Sequence, residues 1–141
     1  ILLKKNGKMY LLDTNIFLEI LLEQKRSEEC EALLKGIKNS RILFYVSSFT
    51  LHSIEVAMIR ENKIELLSDF LKFILTSKLI RLDTNTSEEL QILNLAKEFE
   101  LDFDDAFQFY LCRRNNLKII SFDKHFDKLT IERVEPKDVD I

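Results

Sequence analysis

Turn-forming residues are scarce in this chain: glycine occurs twice and proline once among 141 residues. An all-β sandwich or barrel needs many such residues, so that class is disfavoured, and collagen-like and low-complexity classes are excluded. Tryptophan is absent, and eleven phenylalanines supply the aromatic bulk. Cysteine occurs only as Cys30 and Cys112, far apart and without CxxC spacing. Both read as small hydrophobes in a reducing compartment rather than as a disulfide framework or zinc site, so cytoplasm is the expected location. Clean apolar stretches last a few residues, well short of the roughly 18 that a membrane span needs. The opening Ile1-Leu2-Leu3-Lys4-Lys5-Asn6 runs apolar before basic, the wrong order for a secretory signal, and lacks an initial Met. No large charge of one sign exists either: the formal net charge is -3. Duplex-DNA binding by broad charge neutralisation loses weight, whereas nucleic acid held through a metal site does not.

What is present is an ordinary globular composition, 46% hydrophobic and 32% charged, long enough for one domain over residues 1–141 with a real core. Met9–Leu12 is a short apolar run and reads as a buried strand. Ile16, Phe17, Ile20 and Leu21 then recur at helical spacing up to about Gln24. Helices are expected over Ser27–Lys38, around Leu51, Ile54 and Met58, over Ile64–Thr76, from a Thr86/Glu89 capping box to Glu100, and from Asp102 to Asn116. Strands are expected at Ile42–Val46, Leu79–Leu82, Lys118–Phe122 and Thr130–Val134. Short apolar strands alternating with helices imply an α/β fold, a mostly parallel sheet covered on both faces. In such sheets ligands gather at the carboxyl ends of strands, near the switch in strand order.

The carboxylates at those places are the candidates. Asp13 directly follows the first strand, either as a helix cap or as a site residue. Glu55 has Leu51, Met58 and Ile59 along its helical line and only His52 at i-3. It reads as a solvated flank or as an acid needing a partner from elsewhere. In Asp102-Phe103-Asp104-Asp105-Ala106, acids suit a first helical turn. Asp104 shares its line with Gln108 and Asn115, a wet face, whereas Asp105 shares its line with Phe109 and Cys112. Asp105 is therefore the better site candidate. Asp123 follows the Lys118–Phe122 strand as a turn residue or a site residue. Asp83 also follows a strand but is explained as a structural residue before a helix. Clustered carboxylates need counter-charge, because two charges about 5 Å apart at an effective dielectric near 20 repel by roughly 3 kcal/mol. Oxygen ligands select Mg²⁺ or Mn²⁺, ions common in phosphoryl chemistry.

Leu11-Leu12-Asp13-Thr14-Asn15, then Glu55, then Asp102-Phe103-Asp104-Asp105-Ala106, then Ile119-Ile120-Ser121-Phe122-Asp123-Lys124-His125-Phe126 together resemble the PIN-domain family, from about Met9 to Val134. Within that family the chain resembles the small prokaryotic PIN proteins that include VapC-type toxins. The resemblance implies a three-layer α/β/α sandwich with a five-stranded sheet of order 3-2-1-4-5. It also implies a Mg²⁺- or Mn²⁺-dependent ribonuclease leaving 5′-phosphate and 3′-hydroxyl ends. By the same resemblance Asp13, Glu55, Asp105 and Asp123 are the catalytic acids, and Asp13, Asp105 and Asp123 hold the metal. Asn15 and Ser121 support them, and Asp104 is the alternative third acid. Lys124, His125, Arg113 and Arg114 are candidates for RNA contact. For Arg113 and Arg114, a helix C-terminus explains the cations equally well. The partners implied are RNA, an antitoxin protein and a second copy of the chain. The wide apolar faces of the first and fourth helices agree with a covering partner. Competing readings are an RNA-processing nuclease outside a toxin–antitoxin system and a silent scaffold. An Asp-nucleophile phosphatase would need a second Asp where Asn15 stands.

Overall fold

The computed structural model describes residues 8–141. The Ile1–Asn6 segment read above lies outside the described residues. The chain runs β1 (Met9–Leu12), α1 (Thr14–Leu21), α2 (Ser27–Ile37), β2 (Leu43–Ser47), α3 (Ser48–Arg60), α4 (Ile64–Thr76), β3 (Ile80–Leu82), α5 (Thr86–Phe99), α6 (Phe103–Asn115), β4 (Lys118–Ile120) and β5 (Arg133–Val134). A 3₁₀ turn covers Lys124–Lys128 and another Pro136–Asp138.

All strands pair in parallel in one sheet of order β3-β2-β1-β4-β5. The chain builds outward from β1 to β3, then returns to place β4 on the other side of β1. The switch point lies between β1 and β4, with Leu12 opposite Ile120. Alternation along β1 explains the layers. Tyr10 and Leu12 face a core with Phe17 of α1, Leu33 of α2, Ile54 of α3 and Phe70 of α4. Leu11 faces a second core with Ile92 of α5 and Ala106, Phe107 and Leu111 of α6. Cys30 and Cys112 are free and buried, as expected. Among the described residues, no helix is long and apolar enough to cross a membrane.

Several local expectations shift. The first helix ends at Leu21, short of Gln24, and the last expected strand shrinks to Arg133–Val134. The strand expected through Phe122 ends at Ile120, although Ser121 N–H still donates to Val134 O at 3.0 Å before the chain bends at Phe122. The capping box uses Asn85 and Glu88 rather than Thr86 and Glu89: Glu88 N–H donates to Asn85 Oδ1 at 2.9 Å, and Asn85 N–H donates to Glu88 Oε1 at 3.0 Å. Asn caps as well as Thr, so the motif slides by one residue. Asp102 takes the N-cap place of α6 without a side-chain cap bond. Asp83 accepts from the Ser48 hydroxyl, which fits its structural reading.

The outer helix α4 leaves Leu75 83% exposed and Phe73 37% exposed. An apolar groove of about 870 Å³ runs beside it, lined by Ile20, Leu34, Leu66, Phe70 and Phe73 among others.

Glycine scarcity has a visible consequence. Glu23, Asn62, Glu100 and Asn116 all adopt positive φ, between 50° and 58°. Glu100 and Asn116 terminate α5 and α6 in the left-handed conformation that glycine adopts without penalty. Asn tolerates this region, whereas Glu gains nothing there. Glu100→Gly should therefore stabilise the protein by up to about 1 kcal/mol, and Asn116→Gly by less. Urea denaturation of the two variants checks the order; a destabilising Glu100→Gly would contradict it.

Candidate active site

The site forms where β1 and β4 end side by side. Asp13 N–H donates to Ile120 O at 3.0 Å, which extends the pairing by one residue and sets the Asp13 side chain at the sheet's carboxyl edge. That side chain is only 8% exposed. Donors from three parts of the fold reach it. Thr14 N–H at 2.9 Å and Gln108 Nε2 at 3.1 Å donate to Oδ1. Ser121 Oγ at 2.6 Å donates to Oδ2, with Asn15 Nδ2 at a longer 3.4 Å. Burial nevertheless pushes the Asp13 carboxyl above the usual range; its hydrogen bonds oppose this, and the Asp123 charge adds to it. Asp13 is thus both the cap of α1 and a buried acid whose hydrogen bonds do not offset its burial.

Ser121 links the first acid to the last. Besides donating to Asp13, its fully buried hydroxyl accepts from Asp123 N–H at 2.9 Å. Arg133 holds the same segment by donating to Ser121 O at 2.9 Å. Asp123 Oδ1 then accepts from His125 N–H at 2.9 Å and opens the 3₁₀ turn.

Asp105 comes from the first turn of α6. It reaches the same place: ligand atoms of Asp105, Asp123 and His125 lie within 4.8 Å of one another. Its side chain is 13% exposed. Its carboxyl is pushed up to about 7, first by burial, then by the charges of Asp123, Asp104 and Asp13, with His125 opposing. Asp104 is exposed, as its helical phase predicts, and forms a second acidic group with Asp102 and Asp105.

Glu55 stands apart from this cluster. On half-buried α3 surface it bonds His52 Nδ1 at 2.9 Å, the i-3 neighbour. The cationic candidates divide in the same way. Lys124 and His125 are exposed beside Asp123. Arg113 and Arg114 lie at the far end of α6, about 12 Å along the axis from Asp105 at 1.5 Å per residue. Arg114 pairs with Glu88, and Arg113 lies over the Phe109 ring at 5.2 Å.

Gln108 corrects the reading of its helical line as wet. It is 2% exposed, and its Nε2 donates to Asp13 Oδ1 and, at 2.9 Å, to Thr50 Oγ1. Thr50 in turn shares a 2.9 Å hydroxyl contact with Thr14. The signal in the sequence was Gln108 standing amid Phe107, Phe109 and Leu111, a polar residue among core residues.

The donors fit a hard divalent cation. Carboxylate oxygens converge with one imidazole nitrogen, like charges crowd Asp105, and the amide oxygen of Asn15 is buried without a hydrogen-bond partner. An oxygen-rich pocket with excess negative charge is what such an ion neutralises.

The PIN domain family model matches residues 10–132. The chain belongs to the PIN domain family. Solved structures share this PIN fold. VapBC2 from Rickettsia felis, bound to a DNA fragment from its promoter, superposes with a TM-score of 0.72 at 16% identity, covering 90% of this chain and 98% of that one. VapC20 from Mycobacterium tuberculosis, a toxin cleaving the sarcin–ricin loop, gives 0.72 at 16% identity, covering 89% and 98%. A toxin–antitoxin complex from Klebsiella pneumoniae gives 0.66 at 18% identity, covering 90% and 97%. At these identities the likeness is one of fold. No curated protein matches the chain.

Two measurements test the site without assuming an activity. An unfolded aspartate titrates near 3.9, so between about pH 4 and about 7 the folded PIN domain holds a proton on Asp105 that the unfolded chain releases. That contribution to stability is full below about pH 4 and is lost as pH rises through about 7. In chelator, Asp105→Asn should therefore melt above wild type at pH 8, and the gap should close as pH falls toward 4. A gap independent of pH would show that Asp105 is not crowded. Gln108→Leu removes a donor from buried Asp13 and Thr50 and should cost about 1–3 kcal/mol in urea denaturation. Gln108→Glu should cost more at pH 8 than at pH 5, since it sets a second carboxylate against Asp13.

Proposed function

We propose that this PIN domain is a divalent-metal-dependent endoribonuclease that hydrolyses RNA phosphodiester bonds as the toxin of a toxin–antitoxin pair. The approach of Asp105 and Asp123 to within 4.8 Å, beside buried Asp13 at the carboxyl end of β1, carries the reading. Family membership supports nuclease chemistry, and neighbours described as toxins and toxin–antitoxin complexes support the toxin role.

Asp13, Asp105 and Asp123 would hold Mg²⁺ or Mn²⁺. When bound, such an ion acidifies water and neutralises charge developing on phosphoryl oxygens and the leaving group. Ser121 fixes the spacing of Asp13 and Asp123 through its two hydrogen bonds. Asn15 stiffens the same corner by donating to Ser121 Oγ at 3.3 Å. Asp104, exposed beside Asp105, would stay outside the ligand set. Glu55, held by His52, would act through an intervening water. Lys124, an exposed cation next to Asp123, would meet an RNA phosphate. Arg113 and Arg114 would meet only RNA that runs on along α6. The groove beside α4 supports an antitoxin segment as partner, and exposed Val56 and Ile59 on α3 support a homodimer.

The deciding experiment is cleavage of an RNA panel in Mn²⁺ or Mg²⁺. Asp13→Asn and Asp123→Asn should each lower the rate by at least about 100-fold, the loss typical of removing one electrostatic group from a reaction site. Asp104→Asn should stay within about threefold. Cleavage by Asp13→Asn at the wild-type rate, in a preparation free of other nucleases, would overturn the reading.

A further inference from the structure

We propose that His125 is a nitrogen ligand in this site and biases it toward a transition-metal dication such as Mn²⁺ over Mg²⁺. The inference rests on the metal-site reading above and concerns which ion the site prefers. The chain has only two histidines, and each lies against a candidate acid. Their settings differ. His52 makes one contact, to Glu55 one turn along the same exposed helix. His125 Nδ1 lies 3.1 Å from Asp123 Oδ1 and 3.8 Å from Asp105 Oδ2, between carboxylates supplied by separate elements. A surface ion pair needs one partner, whereas a nitrogen set between two convergent acids completes a three-donor face.

The ring is 67% exposed, and the backbone that carries it is fixed. His125 N–H is bonded to Asp123 Oδ1, and the next residue, Phe126, is fully buried in the core beside α6. Asp127 is clamped by Arg133 at 2.8 and 3.2 Å. The turn therefore cannot swing His125 far from the acids. Among the described residues, no hydrogen-bond donor other than this imidazole approaches the Asp105 carboxylate. The buried, unpartnered Asn15 amide oxygen lies on the same corner, bonded through its Nδ2 to Ser121. Both observations point to a cation as the missing partner. Mg²⁺ keeps to oxygen donors, whereas first-row dications also accept imidazole nitrogen, with an affinity that rises from Mn²⁺ through the later ions, and a neutral ring adds a donor without adding charge.

The test uses the full chain and the metals alone. In wild type, pulsed electron paramagnetic resonance of bound Mn²⁺ should show modulation from a directly coordinated ¹⁴N. The modulation should persist in His52→Ala and vanish in His125→Ala. By calorimetry, His125→Ala should lose about tenfold in Mn²⁺ affinity and less than about twofold for Mg²⁺. Bound Mn²⁺ without ¹⁴N modulation in wild type, or equal losses for both ions, overturns this proposal alone and leaves the carboxylate site standing. Unchanged Mn²⁺ affinity with a raised KM for RNA would likewise overturn it, assigning His125 to the substrate instead. Wild type that binds neither ion overturns the metal-site reading and this proposal together.

Discussion

A buried carboxylate at the end of the central strand is the constraint on which the rest of this PIN domain depends. An ionised group removed from water is costly unless donors replace its hydration. For Asp13 those donors are Thr14 N–H and Asn15 at the start of α1, Gln108 in mid-α6 and Ser121 just past β4. They converge only when β1 and β4 are paired in register and α6 lies across them. Satisfying Asp13 and assembling the site are the same structural event. The compensation is incomplete, because burial still outweighs the hydrogen bonds and raises the carboxyl's pKa.

The cations nearby do not supply the remainder. Arg133 touches the Ser121 carbonyl, one residue from Asp123's neighbour, yet its guanidinium is occupied by Asp127 and Glu135. Arg26 lies over the Phe122 ring at 3.9 Å and pairs with Glu29 and Glu135. These pairings hold the Asp127 and Glu135 carboxyls below their usual range, while Asp105 is pushed up to about 7. The two kinds of acid therefore respond oppositely to pH. The first stabilises the fold as pH rises above its unfolded value, and the second as pH falls. His125 opposes the rise at Asp105 but does not cancel it.

Much of this was legible in the residues because it follows from short-range rules. Met9–Leu12 ends in Asp13, so the strand and its terminal acid were readable together, and helical phase separated Asp105 from Asp104. Asp123 followed the same strand-end logic, whereas Ser121 came only from the family resemblance. Gln108 was misplaced because phase fixes direction relative to one helix axis and not what lies opposite. Its line faces buried Asp13 and Thr50, which are polar, so a polar residue there is core rather than surface. Glu55 was set on an apolar line, but its nearest partner proved to be His52 one turn back. Strand ends drifted by one to three residues, most at the last strand, which begins at Arg133 rather than Thr130. At a helix, Asn85 displaced Thr86 in the capping box.

The sheet explains why so much destabilising material is tolerated at one edge. β3 and β5 are three and two residues long, so the flanks add little, and β1 bears on both cores through Leu12 on one side and Leu11 on the other. The carboxyl end of β1 is thus the best-anchored point in the fold and also the place where its acids are crowded. Repulsion among Asp13, Asp105 and Asp123 can separate them only by moving β4 or α6, whose Ile119, Ile120, Ala106 and Phe109 are fully buried. Close packing makes such shifts costly, since buried contacts forfeit much of their attraction over a gap of an ångström or less. The site stays assembled because relaxing its charge would open the core, so the repulsion is met by added charge rather than by movement, and below about pH 7 a proton on Asp105 supplies it.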